Sequence, residues 1–266
     1  MRQNNIFLML LKVFFFSSIL VATSAVRAEL KVVTTIKPLH SLIANVMDGV
    51  GEPALIIEGS TSPHSFTLKP SHAKLLEEAD IIFWVGESIE TFMERPLESI
   101  VKNAEVVEFM EVESINKLKF REESIFEDHD DHDDHDDHDD HSDEEEGMAY
   151  DPHSWLDPVA YKTQVEVVLS YMIKAFPDGK SDFTANAEKF MDELDDLDAE
   201  YSAALADDVC PDKLVVANHN AYSYMALRYD MKFLTVHGLD PEGEPSPEDI
   251  VKVVEHIKEE NIEVLF

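Results

Sequence analysis

The sequence predicts an α/β fold: two lobes of mainly parallel sheet flanked by helices, joined by one long rigid helix. Three observations carry this expectation. Short apolar runs alternate with stretches of helical periodicity along most of the chain, the pattern of parallel sheets covered on both faces. One helical stretch, 181–205, is much longer than the rest, and the alternation restarts after it. The 266 residues are 44% hydrophobic, enough for real cores and long enough for two ordinary domains.

Residues 1–28 read as a secretory signal outside the fold. Arg2 and Lys12 are positive, apolar runs cover 6–11, 13–16 and 19–22, and Val26-Arg27-Ala28 offers a small-residue cleavage site before Glu29. Lys12 interrupts the apolar run, which argues against a membrane anchor, and no cysteine stands at the cleavage site to carry a lipid. No later stretch approaches the ~20 apolar residues of a membrane span. A soluble, periplasmic protein is expected.

The N-terminal lobe is assigned to 29–180. Residues 30–36 form a strand. Leu39, Leu42, Ile43, Val46 and Met47 recur at helical spacing over 38–48. A strand over 54–58, a helix over 71–79, a buried strand over 80–85 and another strand over 105–109 follow. Asp157-Pro158 is an N-cap followed by proline at the first helical position. The helix it opens carries Tyr161, Val165, Val168, Leu169, Met172, Ile173 and Phe176 as a core stripe, and Pro177-Asp178-Gly179 ends it. The linking helix, 181–206, has a stripe of Phe183, Ala187, Phe190, Leu194, Leu197, Tyr201 and Leu205. At ~1.5 Å per residue it is long enough to serve as a strut. The C-terminal lobe, 207–266, begins with a strand over 213–217, a helix over 218–229 and a strand over 232–236. Ser246-Pro247-Glu248-Asp249 is a capping-box start for a helix that carries Ile250, Val253, Val254 and Ile257. The chain stops in an apolar strand begun at Glu263, so this lobe is expected to be incomplete, as in a C-terminally truncated chain.

Charge narrows the partners. Lysine and arginine number 21 against 56 aspartates and glutamates, a net −35 with histidine neutral. So acidic a chain is repelled by nucleic acid and by anionic lipid, and its natural charged partners are cations. The single cysteine, Cys210, excludes an internal disulfide framework and a cysteine-rich zinc module.

Histidine placement carries the functional signal. Residues 122–146 hold 16 acids, five histidines and no basic residue, a composition that cannot build a core and is expected to be a disordered insert. His129, His132, His135, His138 and His141 stand at strict three-residue intervals separated by Asp-Asp. In a helix each would slip about 60° behind the last, and aspartate is a poor helix former, so a flexible chain is expected. Neutral imidazole suits zinc, copper and nickel, and the aspartates concentrate cations, so the insert reads as an accessory, weak metal-binding tract.

Three further histidines stand where strands end or helices begin: His64 in Ser62-Pro63-His64, His153 in Asp151-Pro152-His153-Ser154-Trp155-Leu156-Asp157-Pro158, and His219 in Ala217-Asn218-His219. Ligands of open α/β sheets collect at the carboxyl ends of strands. Three imidazoles gathered there would make a site for a borderline transition metal, although spacing alone cannot bring them together. Asp151 is read as orienting the His153 loop. His40, His72 and His256 read as solvent-facing, His237 as a weaker candidate for an accessory contact, Trp84 and Trp155 as packing residues, and Asp157 as a helix cap.

These segments resemble the metal-binding solute receptors of bacterial ABC importers, specifically the zinc-specific, ZnuA-like branch. The resemblance runs from Leu30 to the chain end. It rests on Ser62-Pro63-His64 with Leu68-Lys69-Pro70-Ser71, on 151–158, on 218–222 and on Glu244-Pro245-Ser246. It implies two α/β lobes, a long connecting helix, and Zn2+ held in the cleft by His64, His153 and His219. Histidine rather than a carboxylate at the third position points to zinc, and an acidic histidine-rich insert is typical of this branch. The implied function is zinc capture in the periplasm by a monomer that is not an enzyme, and delivery to the membrane permease of an ABC importer. Rival readings are a secreted zinc-dependent hydrolase, against which stands the lack of an H-E-x-x-H motif, a cation buffer dominated by the insert, and a manganese or iron receptor of the same fold.

Overall fold

The computed structural model describes residues 30–119, 150–237, 247–259 and 262. The expectations for the leader 1–28, the insert 122–146 with His129, His132, His135, His138 and His141, the segment Glu244-Pro245-Ser246 and the strand from Glu263 lie outside the described residues.

A four-stranded parallel sheet forms the larger unit. Its strands are β1 (Val32–Thr34), β2 (Ala54–Leu55), β3 (Ile81–Trp84) and β4 (Glu105–Glu108), in the order β2-β1-β3-β4. β1 and β3 are central and buried on both faces, which is why VVT and IIFW are continuous apolar runs rather than alternating ones. Strand order reverses beside β1, so the carboxyl ends of β1 and β3 flank the crevice where α/β sheets hold ligands.

Helices cover this sheet. Helix α1 (Lys37–Val46) starts with a proline in its first turn and buries Leu39, Leu42, Ile43 and Val46. Helix α2 (Pro70–Glu78) buries Leu76. Helix α3 (Glu94–Ser99) is a short element the sequence pattern does not announce, since it buries no residue of its own and holds Pro96. Helix α4 (Pro158–Ala175) buries Tyr161, Val165, Val168 and Met172 as expected, and also Gln164 and Val167. Its N-cap is Asp157, whose carboxylate accepts the Val159 N–H at 2.8 Å.

Helix α5 (Lys180–Ala204) is the long element, spanning about 37 Å. Its first half packs on α1 and α4 through Phe183, Ala187 and Leu194. Its expected stripe does not stay buried: Leu197 is 40% and Tyr201 36% exposed. There the helix has outrun the larger core, and Tyr201 packs instead on the Tyr229 ring, centroids 5.3 Å apart.

The second sheet pairs β5 (Leu214–His219) with β6 (Lys232–His237) in parallel. Helix α6 (Ser223–Tyr229) connects them and ends at Asp230 in the left-handed conformation (φ 54°). Helix α7 (Pro247–Glu259) sets Val253 against Val216 and Leu234, a small separate core. The sequence expectation of a helix from Asn218 is corrected. Residues 218 and 219 stay in β5, where His219 pairs with His237, and the helix starts only at Ser223.

Candidate metal centre

Each of the three histidines is delivered by a different local device. His64 lies in the loop after β2, where Gly59 at φ +75° makes a turn and the Ser62 hydroxyl accepts the His64 N–H at 3.3 Å. His153 immediately precedes a single 3-10 turn, Ser154–Leu156, held by a buried bond from the Gln164 side-chain amide to the Ser154 hydroxyl at 2.7 Å. His219 is the last residue of β5, fixed by its pairing with β6. The first lies at a strand's carboxyl end, the second before a helix, and the third at the carboxyl end of the second sheet.

The three side chains meet. One ring nitrogen from each of His64, His153 and His219 lies within 4.8 Å of the other two. The His153 and His219 ring centroids are 5.4 Å apart at 68°, and those of His64 and His219 are 6.4 Å apart at 82°. Three nitrogens at ~2.0–2.1 Å around one tetrahedral ion stand about 3.3 Å from one another, so the rings need draw in by no more than about 1.5 Å to close on zinc. His153 is buried; His64 and His219 are half-buried, leaving the group reachable from solvent.

Asp151 sets the chemistry of His153. Its carboxylate is fully buried, and one oxygen accepts both the backbone N–H (2.9 Å) and the ring Nδ1 (2.8 Å) of His153. Burial pushes the Asp151 carboxyl up, but the bonds and charge of His153, with Ser223 nearby, outweigh it, and the net direction is down. An ionised carboxylate only accepts, so Nδ1 carries the proton and Nε2 keeps its lone pair for an ion. The Trp155 ring packs edge-on against His153 at 5.2 Å, a barrier to ring rotation.

A cavity of about 490 Å3 opens over the three rings. Ile36 with the first residues of α1 (Lys37, Pro38), the loop after β2 (Gly59 to His64), Ile89, Trp155, Asn218 of β5 and the turn that follows it (Ala221, Tyr222) line it. No carboxylate lines it among the described residues. The donor set is three neutral nitrogens, which favours borderline metals over magnesium or calcium.

The remaining histidines fall elsewhere. His40 and His72, expected to face solvent, are half-buried. His40 Nε2 donates to the Pro53 carbonyl at 3.2 Å. His72 Nδ1 accepts the Lys69 N–H at 3.2 Å, capping α2, and its ring stacks on Phe66 at 5.5 Å. Burial first, then the Lys69 charge, lowers the His72 pKa. His256 is half-buried on α7, and His237 sits at the end of β6 opposite His219. Trp84 is 3% exposed within the larger core. Gln164 and Tyr224 support the site without having been singled out from the sequence. A polar residue facing inward on α4, as Gln164 does, was the readable sign of the first; the second left no local sign.

The chain is similar to known proteins in sequence and in fold. The family model described as "Zinc-uptake complex component A periplasmic" matches residues 32–266. The "High-affinity zinc uptake system protein ZnuA" of Brucella abortus (strain 2308) is 38% identical over 245 residues, covering 85% of this chain and 73% of that protein. The "Zinc-binding protein AdcA" of Streptococcus pyogenes serotype M3 is 29% identical over 270 residues, covering all of this chain and 51% of that protein. Among solved structures, the Zn(II)-bound ZnuA-like domain of Streptococcus pneumoniae AdcA superposes with a TM-score of 0.65 at 24% identity, covering 88% of this chain and 76% of that one. The periplasmic zinc binding protein TroA of Treponema pallidum does so with a TM-score of 0.70 at 22% identity, covering 87% and 75%. At these identities the structural likeness establishes the fold.

Proposed function

The chain belongs to the family of periplasmic zinc-uptake complex components A, and from that premise we propose that it captures zinc with His64, His153 and His219 and hands it to the membrane permease of an ABC importer. The observation that carries the reading is the approach of three ring nitrogens, one from each histidine, to within 4.8 Å of one another. An all-imidazole set binds zinc strongly without a thiolate, and its affinity is set against protons because only neutral imidazole ligates.

Residues 29–180 form the first lobe in this reading, 181–206 the linking helix and 207–266 the second lobe, with the ion between the lobes. The protein acts in the periplasm as a monomer after loss of residues 1–28. The insert's His129, His132, His135, His138 and His141 recruit or buffer zinc weakly beside the tight site. The reading is capture without chemistry, and turnover of peptide, ester or phosphate substrates would overturn it in favour of a zinc hydrolase.

The test is zinc titration against a competing chelator, with and without residues 122–146. Deleting the insert should remove weak, multiple binding and leave one tight ion per chain. His64→Ala should remove the tight ion and leave the weak ones. Loss of the tight ion on deleting the insert would refute the assignment to the three ordered histidines.

A further inference from the structure

Two segments that carry ligands are also held together by contacts that involve no ligand atom. His153 lies between Asp151 and Asp157, and His219 lies just before the turn into α6. Tyr224 and Arg228 stand four apart on α6 and so share one face. The Tyr224 side chain is 3% exposed; its hydroxyl donates to the Asp151 carbonyl at 2.9 Å and accepts the Leu118 N–H at 3.0 Å. Arg228 Nε donates to the Asp157 carboxylate at 2.9 Å and stands 4.0 Å from Asp198 of α5. One helix of the second sheet therefore grips the His153 segment at both ends, with the His153 and His219 rings 5.4 Å apart between the grips.

We propose that α6 is a latch that presets the spacing of His153 and His219 before an ion arrives, with Tyr224 and Arg228 as its positioning residues. The inference rests on the capture reading above. Donors already held near their final spacing lose little freedom on binding, so a preset pair binds more tightly than the same rings on independently moving segments. Tyr224 carries the larger share. Its bonds are buried, and without its hydroxyl the Asp151 carbonyl and the Leu118 N–H both lose a partner. Arg228 is partly exposed, and its ion pair is screened by solvent.

The test uses the whole exported chain, insert included, with Tyr224→Phe, Arg228→Gln and Arg228→Lys. The readouts are zinc affinity by chelator competition and the visible spectrum of the cobalt(II) form, which reports ligand geometry. Tyr224→Phe should weaken zinc binding about tenfold or more, the size typical when a residue supporting a metal ligand is lost, and should alter the cobalt spectrum. Arg228→Gln should weaken binding by a smaller factor, and Arg228→Lys should restore part of it. In a His153→Ala background Tyr224→Phe should cost less than threefold, because the latch then has one fewer ligand to place. An affinity within threefold of the unmodified chain, or an equal loss in both backgrounds, overturns the latch. Should Tyr224→Phe not fold, an Arg228→Gln affinity and cobalt spectrum both indistinguishable from those of the unmodified chain overturn it. An unmodified chain without a tight zinc site overturns the capture reading and the latch together, whereas tight binding that Tyr224→Phe leaves intact overturns the latch alone.

Discussion

Replacing Asp151 by asparagine should weaken zinc binding about fourfold to tenfold or more while leaving the fold in place. The carboxylate is fully buried and accepts two bonds from His153, 2.9 Å from the backbone N–H and 2.8 Å from Nδ1. A charge-assisted bond contributes about 1.5–3 kcal/mol and is roughly twice as strong as a neutral one. The amide is isosteric and can still accept the backbone N–H, so that bond is weakened rather than lost. The ring bond matters more, because Nδ1–H becomes a stronger donor once Nε2 gives its lone pair to an ion. Halving it only in the bound state removes about 0.75–1.5 kcal/mol of binding energy, a factor of about 4 to 12, and an amide turned with its NH2 toward the ring would displace the Nδ1 proton and cost more. Chelator competition measures the change, and circular dichroism checks that the fold persists. A folded Asp151→Asn protein that binds zinc within twofold of the parent would refute the role given to this carboxylate.

Two stability effects follow from the larger sheet. Glu90 is fully buried and accepts the Val85 and Gly86 N–H groups at 2.7 and 3.1 Å. Burial, opposed by Thr35 nearby and by these N–H groups and helped by the Glu108 charge, raises its carboxyl from 4.5 to about 7. The folded protein then holds this proton more tightly than the unfolded chain. The contribution to stability is present below pH 4.5 and is lost as pH rises to about 7, by about 3 kcal/mol as an order of magnitude. Urea unfolding should show Glu90→Gln gaining on the parent over that interval; parallel pH curves would contradict it. Gly86, two residues after β3, has φ +148°, and a Cβ there would lie 2.8 Å from Glu108 Oε1 and 3.1 Å from Met110 Cβ. Gly86→Ala should lower unfolding stability by about 1–3 kcal/mol from backbone strain alone, read as a lower denaturant midpoint.

Local pattern exposed most of the element order. The runs VVT and IIFW are short, apolar and buried on both faces, and Asp157-Pro158 caps α4 by a rule that needs only neighbouring residues. Features that depend on partners far along the chain escaped. The helix expected from Asn218 begins later because pairing of His219 with His237 keeps those residues in a strand. Helix α3 shows no apolar stripe to find. Leu197 and Tyr201 continue the helical pattern of α5 beyond the core that would bury them. At the site, His64, His153 and His219 could be named because each lies beside a strand end or a helix start, with the family resemblance added. Their approach to within 4.8 Å is a property of the tertiary fold. Tyr224 was invisible because its hydroxyl bonds backbone atoms 73 and 106 residues away in sequence.

The central claim is that one ion is held by these three imidazoles, and zinc X-ray absorption on a chain lacking 1–28 and 122–146, loaded with one equivalent, tests it most directly. Three imidazole nitrogens at about 2.0–2.1 Å are expected, falling to two in His219→Ala. A first shell with fewer than three imidazoles in the parent, or one that His219→Ala leaves unchanged, would contradict it.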